Sequence, residues 1–292
     1  MQFKRVVDGV AWCAVLMLCA SVAGAAGGAP QKAPTESLSL YGERNVDLKS
    51  YLSGQIVDSP AITWEAVLQQ LALGLTSDPS RGIVADRLAP RTIVPANKED
   101  RCALEAPVQL NNIEIAFADA FMLALLDTDQ CVVLAVVDKS ATPRILSAAE
   151  LGTMGGPMMG GIHYAIDDLF AVGSGAWATW IKSDHENSDE GFIDYQLYMI
   201  SSGRLSLVYE GPSLYNLKSG RDAAFFSATM TVLPTSHAGY RDIRIAVDEK
   251  ARIDARRARR HYEWTIAWDA ARKKYMGGST ELMNRVKQLN KN

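Results

Sequence analysis

Apolar and polar residues alternate with a period of two along most of the second half of the chain, and that alternation predicts antiparallel strands. It is clearest between Phe225 and Met276, where strands are expected over residues 228–233, 242–248 and 261–268. In the second of these, Ile243, Ile245 and Val247 fall on one face and Asp242, Arg244 and Asp248 on the other. In the third, Tyr262, Trp264, Ile266 and Trp268 alternate with Glu263, Thr265 and Ala267. Upstream, Ile113, Ile115 and Phe117 alternate, and residues 121–126 are wholly apolar, as in a strand buried on both faces. Strands over 131–137 and 144–146 continue a meander. A long hairpin follows, 176–182 and 192–200, around a polar loop at 183–191, and then a strand over 205–209.

Helical spacing occurs at both ends of this pattern. Trp64, Val67, Leu68, Leu71 and Leu75 form one apolar face, predicting an amphipathic helix over about 60–74 with Ser59 as N-cap and Pro60 at its first position. Leu282, Met283, Val286 and Leu289 predict a short C-terminal helix. The expected fold is mainly β, an antiparallel meander closing as propeller-like or sandwich sheets, with an N-terminal amphipathic helix and a short C-terminal helix.

Composition refines this organisation at the N-terminus. Lys4 and Arg5, an apolar run from Val10 to Val22 and the small residues Ala23-Gly24-Ala25 match a secretory signal peptide. The run is too short for the roughly 30 Å hydrocarbon core of a bilayer. Residues 1–25 are therefore expected to be cleaved after Ala25, giving a periplasmic or secreted protein. Residues 26–50, opening on Ala, Gly and Pro, read as a flexible tether. Residues 51–107 read as the helix plus an irregular segment carrying Pro79, Pro90, Pro95 and Pro107, and 108–292 as the antiparallel β domain. The whole chain has a formal net charge of −3, and cleavage would leave it one unit more negative. That mild acidity selects no partner class.

Of four cysteines, Cys13 and Cys19 leave with the signal, so Cys102 and Cys131 are expected to form a disulfide in an oxidising compartment. Neither lies in a Cys-x-x-Cys pair or beside a histidine, so no thiol chemistry and no zinc site are expected. The glycine-rich run 152–161 holds Met154, Met158 and Met159 near His163. A Cu(I) site is one reading of these thioethers, and a hinged loop whose methionines cover the core is the preferred one. Asp184, Glu186, Asp189 and Glu190 crowd the polar loop, without the ordered spacing of a calcium cage. No metal or other cofactor is expected.

One charge run stands out. Residues 250–260 include Arg256, Arg257, Arg259 and Arg260, a reversal of sign on an acidic chain. They read as a long solvated connector between strands, partly helical given its Ala and Arg content, with anion binding as the functional alternative. In an exported protein the anion would not be nucleic acid. An envelope protein, a glycan or an anionic lipid surface remains.

The residues Leu233-Pro234, Gly239-Tyr240-Arg241-Asp242-Ile243, Tyr262-x-Trp264-x-Ile266-x-Trp268-Asp269 and Lys274-Tyr275 resemble degenerate FG-GAP/VCBS-type β-propeller blade repeats over the last fifth of the chain. Residues 125–129 are similar to a second, fainter copy. The resemblance implies extracellular recognition and no catalytic residue. The complete Asp-x-Asp-x-Asp-Gly loop of such repeats is missing here, so calcium is not implied. Ser236-His237 and Gly173-Ser174-Gly175 lack the spacing that aims a nucleophile at a base. The expected function is therefore ligand or protein binding by a non-catalytic, exported, β-rich envelope protein. The alternatives are a periplasmic hydrolase whose site the sequence does not assign, or association with an anionic membrane surface through 250–260.

Overall fold

A computed structural model describes residues 34–44, 46–89, 93–95, 107–151, 162–186, 189–218 and 222–290. The signal segment, Cys102 and the methionines of 152–161 lie outside them. The chain is mainly β, as its alternation predicts, and it forms two large sheets with three helices.

The N-terminal elements are β1 (Thr35–Ser39), α1 (Leu48–Leu52), the small hairpin of β2 (Gln55–Ile56) and β3 (Ser59–Thr63), and α2 (Trp64–Leu71). Short strands follow: β4 (Ala72–Leu73), β5 (Thr76–Asp78), β6 (Gly82–Ala85), β7 (Arg87–Leu88) and β8 (Ile93–Pro95). Two expectations change here. The segment read as a tether carries β1, which pairs along β9 (Val108–Phe117) from Thr35↔Ala116 to Ser39↔Asn112. The helix starts four residues later than its Ser-Pro signal suggested. Thr63 is the N-cap, its hydroxyl accepting from the Ala66 N–H at 3.2 Å, whereas Ser59 and Pro60 belong to β3. The predicted apolar face is kept, with Trp64, Val67, Leu68 and Leu71 all buried.

The first sheet has the order β5-β6-β9-β10-β11-β12-β8, completed by β10 (Phe121–Thr128), β11 (Val132–Asp138) and β12 (Ile145–Glu150). Its two faces divide by parity. Ile113, Ile115, Ala124, Leu126, Val133 and Ala135 pack under α1 and α2, while Leu123, Leu125, Val132, Leu134 and Val136 pack against the second sheet. The unbroken apolar run in β10 thus has a direct cause: both of its faces are interior.

The second sheet is a meander of β13 (His163–Gly173), β14 (Ala176–Glu186), β15 (Glu190–Ser201), β16 (Arg204–Leu217), β17 (Ala223–His237) and β18 (Tyr240–Ile253), closed into a six-stranded barrel where β18 meets β13. Closure therefore takes the form of a barrel packed on an open sheet. The closing contact is one rung, Gly173↔Tyr240. Glycine is required there, because an added Cβ would stand 2.8 Å from the Gly239 carbonyl oxygen. Among the described residues β16 and β17 also share one rung, Leu217↔Ala224. β19 (Arg256–Asp269) and β20 (Lys274–Met276) extend the sheet beyond β18, and α3 (Thr280–Leu289) packs Leu282 and Leu289 into the barrel core.

The barrel and the first sheet are also stitched by polar contacts. The Ser147 hydroxyl donates to the Gly203 carbonyl at 2.8 Å and accepts from the Leu205 N–H at 2.9 Å. Glu114 accepts from the Ile166 N–H at 3.0 Å, and burial holds its carboxyl above the usual range.

Candidate functional site

The basic segment is not a connector. β18 runs on to Ile253 and β19 begins at Arg256, so the two strands pair in continuous register from Ile243↔Ile266 to Ile253↔Arg256. Asp254 and Ala255 alone make the turn, both with positive φ, 49° and 66°. Two successive left-handed residues match the right-handed strand twist of a tight hairpin, although Asn-Gly is the usual pair there. The Asp254 N–H is held by the Asp222 carboxylate at 3.0 Å.

Pairing sorts the four arginines onto opposite faces. Arg257 lies directly across from Arg252, and Arg259 across from Lys250. These four side chains share one solvent-exposed face. On the adjoining strand, Phe225 pairs with Lys250 and keeps 44% of its surface exposed. Side chains directly opposite in antiparallel strands have Cβ atoms about 5 Å apart, and like charges in those positions are destabilising. Two like-charged rungs, successive on this face, therefore concentrate positive potential on a small area. Among the described residues no carboxylate lies within ion-pair distance of Lys250, Arg257 or Arg259. One rung further, the pattern ends: Asp248 faces His261 at 2.8 Å, and Glu263 stands 3.8 Å from the same ring. The Asp248 hydrogen bond raises His261 above the ordinary imidazole value.

Arg260 belongs to the other face and is neutralised there. It approaches Glu249 at 3.3 Å, and Glu249 also accepts from Arg285 of α3 at 2.6 and 2.8 Å and from the Tyr262 hydroxyl at 2.8 Å. Burial alone would raise the Glu249 carboxyl, but these donors outweigh it and hold the group below the usual carboxylate range. Burial and the Glu249 contact push Tyr262 up to about 12. Arg260 is thus a structural partner. Arg256 lies exposed at the turn, on the same face as Arg260.

The other sequence candidates are placed as follows. Cys131 is fully buried beside the start of β11, and its expected partner Cys102 lies outside the described residues. The polar loop is shorter than its sequence suggested, because β14 and β15 continue through it and pair Asp184 with Ile193 and His185 with Phe192. Glu186 is in an ion pair with Lys218, and Asp184 with Lys182 at 3.6 Å. Among the described residues no three His, Cys, Asp or Glu side chains are grouped to hold a metal ion. His237 does find a carboxylate, Asp242 at 2.6 Å, but it is 62% exposed at a hairpin end. Ser236 precedes it in the same strand and so points to the opposite face. A hydrolase arrangement of these neighbours is ruled out by that alternation.

Two hollows border β16. One, of about 530 Å³, is lined by Asp184, His185, Asp194 and Glu210 with Tyr164 and Tyr195. Asp194 accepts the Ser213 hydroxyl, and burial followed by the charges of Asp167 and Asp184 pushes Tyr195 up to about 12. The other, of about 340 Å³, is mostly apolar and lies between Tyr209, Trp264 and Met283 of α3. The first hollow also holds Ser183 and Ser213 with His185, but the Ser213 hydroxyl is given to Asp194 rather than to the histidine.

Sequence reasoning included Lys250 and Arg252 in the basic segment without singling them out, and it missed Phe225, which completes the face. The signal for the first two was available as Lys250-x-Arg252, a period of two that only the strand assignment makes meaningful. Comparison with protein-family models, curated proteins and solved structures gave no match.

Proposed function

We propose that this chain is an exported, β-rich, non-catalytic binding protein of the cell envelope that recognises an anionic partner through the exposed face of β18 and β19. One observation carries this reading: Lys250 opposite Arg259 and Arg252 opposite Arg257, the two successive rungs of one face, with Ala251 opposite Ala258 between them on the other. Repulsion across each rung costs stability in the isolated protein. A bound anion offsets that repulsion at Lys250, Arg257 and Arg259, for which no carboxylate lies within ion-pair distance among the described residues. Phe225 adds an apolar contact beside the charges.

The direct test is binding of the purified protein to dextran sulfate over a salt series, with wild type compared against Lys250→Ala/Arg252→Ala/Arg257→Ala/Arg259→Ala. Screening over a Debye length of about 8–10 Å should weaken wild-type binding as salt rises, and the variant should lose the salt-sensitive component. Binding that is absent, or unchanged in the variant, overturns the reading.

A further inference from the structure

We propose that the anionic partner is an acidic peptide segment that adds as an extra strand along the outer edge of β19; this inference rests on the anionic-partner reading above. β19 pairs with β18 along one edge over residues 256–266. Among the described residues its other edge pairs with β20 only, and only over Ala267, Trp268 and Asp269. Residues 256–263 therefore present backbone N–H and C=O groups along an edge about 26 Å long at strand rise. Gly277 lies against Thr265 and Ile266, and Trp264 borders the hollow beside α3, whereas Arg256, Arg257, Arg259, Arg260, His261 and Glu263 are exposed. An open edge of this kind is a template for β-augmentation, in which backbone hydrogen bonds supply affinity and alternate side chains supply specificity.

Charge then selects the strand. A peptide laid on this edge places every second side chain on the solvent face, about 5 Å from Arg257 and Arg259. Arg252 and Lys250 stand one strand behind them. Acidic residues at two successive alternate positions would meet the most positive part of the face. A neutral or basic residue suits the position beside Glu263. A second copy of β19 would instead set arginine against arginine, so self-pairing is disfavoured. A bilayer surface makes no use of the backbone edge, and its phosphates would meet Asp248 and Glu263 on the same face. Edge and charge pattern together favour the peptide.

The test uses the full purified chain and a fluorescently labelled nine-residue peptide alternating glutamate with threonine. A second peptide has the same sequence with N-methyl groups on the amides of one edge, and a third probe is vesicles of phosphatidylglycerol. Fluorescence anisotropy should show salt-sensitive binding of the first peptide. Binding should weaken roughly tenfold or more for the N-methylated peptide, which loses backbone hydrogen bonds, and by a similar factor in Arg257→Glu/Arg259→Glu. Circular dichroism and thermal melting establish that the variant is folded. Equal binding of both peptides overturns strand addition and leaves the anionic reading standing. Binding of vesicles without binding of peptide overturns the peptide in favour of a membrane surface. Failure of peptide, vesicles and dextran sulfate alike overturns both.

Discussion

Arg285 on α3 and Glu249 on β18, far apart in sequence, form a buried pair in which the guanidinium gives two hydrogen bonds, at 2.6 and 2.8 Å, to one carboxylate oxygen. The Glu249 side chain is fully buried. Removing one partner of such a pair strands the other, which typically costs about 3–5 kcal/mol. Arg260 and Tyr262 still reach Glu249, so Arg285→Ala is expected to lower unfolding free energy by less, about 1.5–3 kcal/mol in urea titration. It should also loosen α3 from the barrel, seen as exposure of Leu282 and Leu289.

Stability should respond to pH in two opposite senses. Burial raises Asp127, at the seam between the sheets, to about 6. Its folded state binds a proton more tightly than the unfolded chain, so stability falls as pH rises from about 4 to about 6. The span corresponds to a loss on the order of 2–3 kcal/mol. Glu249 is depressed, so its contribution is present above the ordinary carboxylate value and is lost as pH falls below it. Asp127→Asn should flatten the profile between about pH 4 and 6 and leave the acid limb intact, as measured by denaturant midpoints across that range.

The turn of the basic hairpin is strained. Ala255 holds φ at 66°, a conformation that costs a non-glycine residue roughly 1–2 kcal/mol. Ala255→Gly should recover about 1 kcal/mol of that, read as a higher thermal midpoint with anion binding unchanged.

Reversing one charge on the exposed face separates stability from recognition. Arg259→Glu would place opposite charges across the Lys250 rung, expected to stabilise by about 0.2–1 kcal/mol. The same substitution should weaken anion binding. A variant more stable and less able to bind is the outcome to look for, by calorimetry and titration together.

Cys102 and Cys131 are expected to be linked in protein taken from an oxidising compartment, and a joined pair of peptides in non-reduced mass spectrometry checks this. Reduction should then cost about 3–4 kcal/mol on the chain-entropy account. Two free thiols in such a sample would overturn the pairing.

The readable parts of the sequence were those where burial imposes a period. β10 was legible because both faces are interior, and the Ile243-Ile245-Val247 face because one side meets the barrel core. The end of the β18–β19 hairpin was not, because of its strand residues beyond Glu249 only Ala251 is buried, so charge hides the alternation. Its turn also lacks glycine and asparagine, the residues that normally announce two positive φ angles. The start of α2 was misplaced because Ser59-Pro60 imitates a cap, while the hydroxyl that does the capping belongs to the β-branched Thr63. The Glu249–Arg285 contact spans 36 positions, beyond anything a local pattern can express.

Among the described residues two one-rung seams, Gly173↔Tyr240 and Leu217↔Ala224, divide the barrel wall into a β13–β16 panel and a β17–β20 panel. Within each panel the ladders are long and join strands adjacent in the chain, so each can zip from its own turns without closing a large loop. Cooperative opening should follow the same lines. In native-state hydrogen exchange, the amides of β17, β18 and β19 should therefore rise and fall as one block, with α3 carried along by its grip on Glu249. The molecule is in this sense a clasp, and the proposed anion-binding face lies wholly on one of its two halves.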